Sequence, residues 1–200
     1  MNIPVCVEPQ NDKWFWAISL NGEFSVNSAY CALNGEASSL GRNTFKWKIW
    51  KSKLHERLKM LLWRIASEIL PTKEQLGRFY MDLEESCPLC GIEKETILHL
   101  FTKCSLSRAL WFGSTWGARL DSWHFDSPLL LIDHIINPPL GEFIDVFQKD
   151  IFTKVGARVI DLIWKIRNRV VHEGIEVNQV ELHRGLHVIS QEIWKVNESL

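Results

Sequence analysis

Four residues of metal-ligand type gather in the middle of the chain: Cys87, Cys90, His99 and Cys104. Cys87 and Cys90 enclose Pro88 and Leu89, a CxxC spacing in which one tight turn aims two thiolates at a single ion while backbone amides hydrogen-bond the sulfurs. His99 stands nine positions after Cys90, and Cys104 five positions after His99. Three sulfurs and one imidazole fill a tetrahedron and leave no position for a reacting water, so the pattern points to a structural ion. Zn2+ suits this donor set, whereas Ca2+ and Mg2+ prefer oxygen. Glu95 and Thr96 can start a helix that carries His99, with Cys104 near its end or just past it. Structural zinc in finger peptides contributes roughly 10–16 kcal/mol to folding, so the region should lose its fold without the ion. Buried cysteines around a core histidine form the competing reading. A Cys/His nucleophile pair lacks a glycine turn for an oxyanion, and a thioredoxin-like motif lacks its βαβ setting.

Composition narrows the setting. The 200 residues are 46% apolar, enough for one core or two small ones. Basic residues number 23 and acidic ones 24, so no overall positive field marks a dedicated nucleic-acid binder and any such contact must be a local patch. Ten tryptophans against two tyrosines place large rings in the core or along a groove. The start of the chain has no basic-then-apolar pattern and no stretch approaches the roughly 18 apolar residues of a membrane helix. An intracellular location, nucleus or cytoplasm, is expected, with no membrane partner and no small-molecule substrate. Five cysteines, an odd number, in a reducing compartment favour metal over disulfides. Cys6 is expected in a tail and Cys31 on a buried helix face.

The expected fold is mainly α, with a small amino-terminal β-hairpin, a helical CCHC zinc module and a carboxyl-terminal antiparallel helix pair. Residues 1–13 form a tail. Residues 14–26, WFWAISLNGEFSV, place two β-prone runs around Asn21-Gly22, a type I′ turn pair. From Thr44 a helical rhythm runs through Trp50, Leu54, Leu58, Leu62 and Ile65 to Leu70, where Pro71 stops it. Thr72 can cap a short helix, and two more are expected between Leu100 and Gly117. Residues 118–141, with three prolines, read as a loop-rich linker between a zinc-binding domain at 14–117 and a helical pair at 142–200. His183 and His187 lie on the second helix of that pair and are expected at the surface.

The segments WKIWKSKLHERLKMLLWRIASEILPT and CPLCGIEKETILHLFTKC, followed by Trp111, resemble the zinc-binding domain downstream of the polymerase in plant LINE-type, non-LTR retroelement reverse transcriptases. The upstream WFWAISLNGEFSVNSAY is similar to the opening of that domain, and together they cover about residues 14–116. The resemblance implies Zn2+ on Cys87, Cys90, His99 and Cys104. His55 departs from it, since the family often has proline there. LIWKIRNRVVHEG resembles a segment that often precedes an RNase H region. A polymerase needs paired aspartates for two metal ions, and no Asp-Asp pair occurs. RNase H chemistry needs spaced carboxylates on a sheet, which the helical pattern after residue 118 does not offer. The chain looks like part of a retroelement reading frame, or a gene descended from one, without enzyme activity.

Between Arg42 and Arg64 stand eight basic residues and one acid, Glu56. Lys46, Lys48, Lys51, Lys53, Arg57 and Lys59 are the candidate nucleic-acid contacts, with Trp47, Trp50 and Trp63 interleaved as stacking faces for unpaired bases. A solvated amphipathic face is the competing reading. Three functions follow: noncatalytic binding of single-stranded RNA or DNA, a zinc-rigidified scaffold for another protein, or a relic without a present role.

Overall fold

The computed structural model describes residues 15–16, 22–24, 48–114, 117–138, 148–177, 185 and 187. It divides into two compact units after Phe45. In the first, Trp16 N–H donates to the Gly22 carbonyl at 2.9 Å, and the Trp16 and Phe24 rings meet edge to face at 5.0 Å. Gly22 has φ +72°, and a Cβ there would strike the Phe15 ring. The rest of the expected hairpin, Cys6, Cys31, Lys46 and Trp47 lie outside the described residues, as does most of the second carboxyl-terminal helix.

The second unit is helical: α1 (Glu56–Ala66), α2 (Lys73–Gly77), a π-helical turn (His99–Lys103), α3 (Ser105–Phe112), a 3-10 turn (Leu120–Ser122), α4 (Pro128–Ile136) and α5 (Lys149–Glu173). Among the described residues there is no strand, and the one β-bridge joins Ser86 to Lys94. The long helix expected from Thr44 to Leu70 is interrupted. Residues 48–51 are helical, but the Ser52 hydroxyl donates to the Ile49 carbonyl at 2.6 Å and closes that turn. His55 then starts α1, its Nδ1 accepting the Arg57 N–H at 3.2 Å. A capping histidine thus stands where the resembled family often has proline. At the other end, Ile69 N–H bonds the Arg64 carbonyl and Glu68 N–H the Ile65 carbonyl, with Glu68 at φ +56°. This is a Schellman stop with glutamate in the position glycine favours.

The segment 118–141, expected as a loop-rich linker, contains the 3-10 turn and α4. Ser127 accepts the Leu130 N–H at 3.3 Å, and Pro128 takes the first helical position, where its fixed φ and missing N–H suit a helix start. A proline read as a breaker is here an initiator.

Leu58, Leu61, Leu62 and Ile65 form one buried stripe on α1, which packs on α4 and α5. Leu131, Ile132 and Ile135 of α4 and Val155, Val159, Ile160 and Ile163 of α5 complete this core. Each such side chain contributes about 1.5–3 kcal/mol of burial. Gly156 allows the closest approach of α5: a Cβ there would lie 3.1 Å from Ile135 Cδ1 and 3.6 Å from the Trp111 ring. Trp111 is buried, its Nε1–H donating to the Phe101 carbonyl at 2.7 Å.

Candidate metal centre

Residues 85–95 double back on themselves. Cys87 N–H bonds the Glu93 carbonyl at 2.7 Å and Glu95 N–H the Glu85 carbonyl at 2.8 Å, which tie the two arms. At the tip, Gly91 N–H closes on the Cys87 carbonyl at 2.8 Å with φ +69°, a conformation that favours glycine. The amides of Leu89 and Cys90 point at the Cys87 sulfur.

The opposite half comes from the π turn. Thr96 Oγ1 accepts the His99 N–H at 3.0 Å, and Cys104 N–H reaches the His99 carbonyl at 2.8 Å. Residues five apart on an α-helix point about 140° away from each other, so a regular helix would aim His99 and Cys104 at different sides. The wider turn brings them to one centre, a use typical of π geometry at functional sites. The Ser107 hydroxyl bonds the Leu100 carbonyl, and the amides of Leu106 and Ser107 at the start of α3 point at the Cys104 sulfur.

The ligand atoms of Cys87, Cys90, His99 and Cys104 all lie within 4.8 Å of one another. Cys87 Sγ stands 3.9 Å from Cys104 Sγ, and Cys90 Sγ 3.4 Å from His99 Nε2. A Zn–S bond of about 2.3 Å gives a tetrahedron with sulfur–sulfur edges of about 3.8 Å. The Cys87–Cys104 edge matches this, and the four atoms are gathered closely enough for one ion to draw them in. His99 Nδ1 faces the Glu93 carboxylate at 3.1 Å, which holds the proton on Nδ1 and leaves the Nε2 lone pair for the ion.

In the protein without metal these groups compete for protons. The Cys87 thiol is pushed up to about 12 by its hydrogen bond to Cys104 and by burial, while the same bond lowers Cys104. His99 rises to about 9, first through its hydrogen bond with Cys87, against burial, which opposes the charge. A dication relieves this crowding by replacing the shared protons.

One buried ion pair fastens the site to α5. Arg167 Nε and Nη2 donate to the two Glu95 oxygens at 2.7 and 2.9 Å, with Arg167 3% and Glu95 0% exposed. Glu95 also accepts the Lys73 N–H at 2.6 Å, holding the start of α2, and the guanidinium stacks on Trp164 at 5.0 Å. Sequence reading misses this pair and the role of Glu93. The available signal was Arg167 itself, a charge in the stripe that Gly156, Ile160 and Ile163 set on α5.

The candidate nucleic-acid residues divide. Lys48, Lys51 and Lys53 are exposed, with Trp50 41% exposed among them. Arg57 is also exposed but is held by buried Asp161 at 2.5 Å, and Lys59 is buried against Glu56 at 2.9 Å. Trp63 is half-buried, while His172 and His187 are exposed.

Residues 24–111 match the family model described as zinc-binding in reverse transcriptase. A protein from Arabidopsis thaliana described as a putative ribonuclease H protein is 30% identical over 101 residues, which are 50% of this chain and 16% of that relative. No solved structure matches. Ligand spacing and the gathering of the four ligand atoms agree with the zinc binding that the matched family model describes.

Proposed function

We propose that this region is a noncatalytic module, held in shape by zinc, that binds single-stranded RNA or DNA. The observation that carries the reading is the surface of residues 48–53, where exposed Lys48, Lys51 and Lys53 share one short segment with the partly exposed Trp50 ring. Lysines there can follow a phosphate backbone while the ring offers a base its face. Lys59 is buried and serves the fold, while Arg57 stays exposed at the surface, anchored on Asp161. The ion has four protein ligands, so its chemistry is to hold the knuckle and the π turn together. Reverse transcriptase, for which the family is described, works on strands, which supports a nucleic-acid partner in the nucleus or cytoplasm. Among the described residues no helix is long and apolar enough to cross a membrane.

A protein-docking scaffold is the second reading, favoured by Phe79, Tyr80 and Met81, which are 81%, 64% and 101% exposed beside the metal knuckle. Titrating labelled single strands into zinc-loaded protein at several salt concentrations separates the two. Strand binding predicts affinity that falls steeply with salt and drops on combining Lys48→Glu, Lys51→Glu and Lys53→Glu. Absent or salt-insensitive binding favours the scaffold.

A further inference from the structure

The lysines of residues 48–53 open onto a hollow. This segment, the end of α4 and the start of α5 enclose a cavity of about 190 Å³, and from α5 Lys154 joins Lys48, Lys51 and Lys53 around it. Two stretches a hundred residues apart in sequence therefore bring four lysines to one site. Its lining contains a single carboxylate, Asp150, which faces Lys53 at 3.7 Å. Among the described residues Lys48 and Lys154 have no ion-pair partner. The other polar side chains of the lining are already engaged: the Ser52 hydroxyl with the Ile49 carbonyl, the Thr153 hydroxyl with the Ile135 carbonyl at 2.9 Å, and the Asn137 amide with Asp133 at 2.8 Å and Lys149 at 3.2 Å. Like charges gathered in a concave, partly apolar site focus a positive potential that an anion relieves.

We propose that this cavity binds a phosphate group, with Lys48 and Lys154 as its principal contacts. The phosphate belongs to a nucleic-acid strand, which rests on the strand-binding reading above, or is a free polyphosphate. Lysine suits either source, since it acts as a point charge without demanding a fixed donor geometry.

The test uses the full chain loaded with zinc, with pyrophosphate followed by calorimetry at low salt and a labelled single strand followed by anisotropy. Lys154→Glu is compared with Arg64→Glu, which changes an exposed residue of α1 outside the cavity, and Lys154→Gln serves if the glutamate variant folds poorly. The expected result is saturable pyrophosphate binding weakened about tenfold by Lys154→Glu and unchanged by Arg64→Glu. The strand should be displaced by pyrophosphate, and its salt slope should fall by about 1 in the Lys154 variant. Pyrophosphate binding that depends on Lys154 without strand binding supports the cavity and ends the strand reading. Strand binding indifferent to Lys154 and to pyrophosphate overturns the cavity and leaves the strand reading intact. Failure of both ligands overturns both.

Discussion

Arg167 and Glu95 offer the sharpest test of how the metal module is held. Both side chains are buried, and their two hydrogen bonds join the knuckle to a helix 72 positions further along the chain. Removing one partner of such a pair strands the other charge away from water, a cost of about 3–5 kcal/mol. For a chain of this size each kcal/mol shifts the melting temperature by about 2–4 °C, so Arg167→Met should lower it by roughly 6–20 °C. Glu95→Leu should cost about 1 kcal/mol more, because it also takes away the acceptor that Lys73 N–H uses at 2.6 Å. The double variant removes both charges and should recover about 2–3 kcal/mol relative to the sum of the singles. The assay is denaturant unfolding of zinc-loaded protein for all three variants. Single costs below about 1 kcal/mol, or strict additivity in the double, would refute the claim that this pair is buried and coupled.

Zinc loading should release protons. His99 at about 9 and Cys87 at about 12 both hold theirs at pH 7, and a bound ion requires both removed. At least two protons should therefore leave per ion, and affinity should weaken as pH falls; calorimetry in buffers of different ionisation enthalpy counts them, and a release below two contradicts the assignment. The sign is opposite for the metal-free protein: the raised His99 value stabilises that fold below pH 6.5, and the contribution fades as pH rises through about 9. Glu68→Gly should stabilise the protein by up to about 1 kcal/mol, since glycine takes φ +56° without penalty; a lower melting temperature would count against the Schellman assignment. Gly156→Leu should cost about 1–3 kcal/mol by forcing α5 off Ile135 and Trp111, and unchanged thermal unfolding would show that the contact is loose.

What the sequence discloses here follows from the range of each interaction. The ligands are legible because a CxxC turn is a local device and sulfur and imidazole are rarely assembled without an ion. Thr72 and Thr96 are legible as caps because a cap acts within three residues. The break at Ser52 is harder: Leu54 keeps the apolar rhythm, and a single serine hydroxyl turning back on Ile49 decides against a continuous helix. Pro128 shows the ambiguity of a strong signal, since the same ring that breaks a helix inside starts one at its first position. Glu95 with Arg167, and Lys48 with Lys154, lie beyond any local pattern. Only the packing of α5 brings them together.

That packing changes how the family match is understood. The matched residues stop at 111, yet Trp111 is buried against Gly156 and Glu95 is neutralised by Arg167, both on α5. A zinc ion on these four ligands would tie residues 85–95 to the π turn within a span of 18 residues, a short-range clamp that gives no reason for α1 or α5 to sit where they do. Long-range order comes from α5, which packs on α1, α3, α4 and the π turn. Metal and helix thus act at different scales, and Glu95 is where they meet: its backbone N–H closes the knuckle on Glu85, while its side chain binds α5 and the start of α2. The metal centre and the basic cavity therefore draw on one helix at different points, Glu95 through Arg167 and the cavity through Asp150, Thr153 and Lys154.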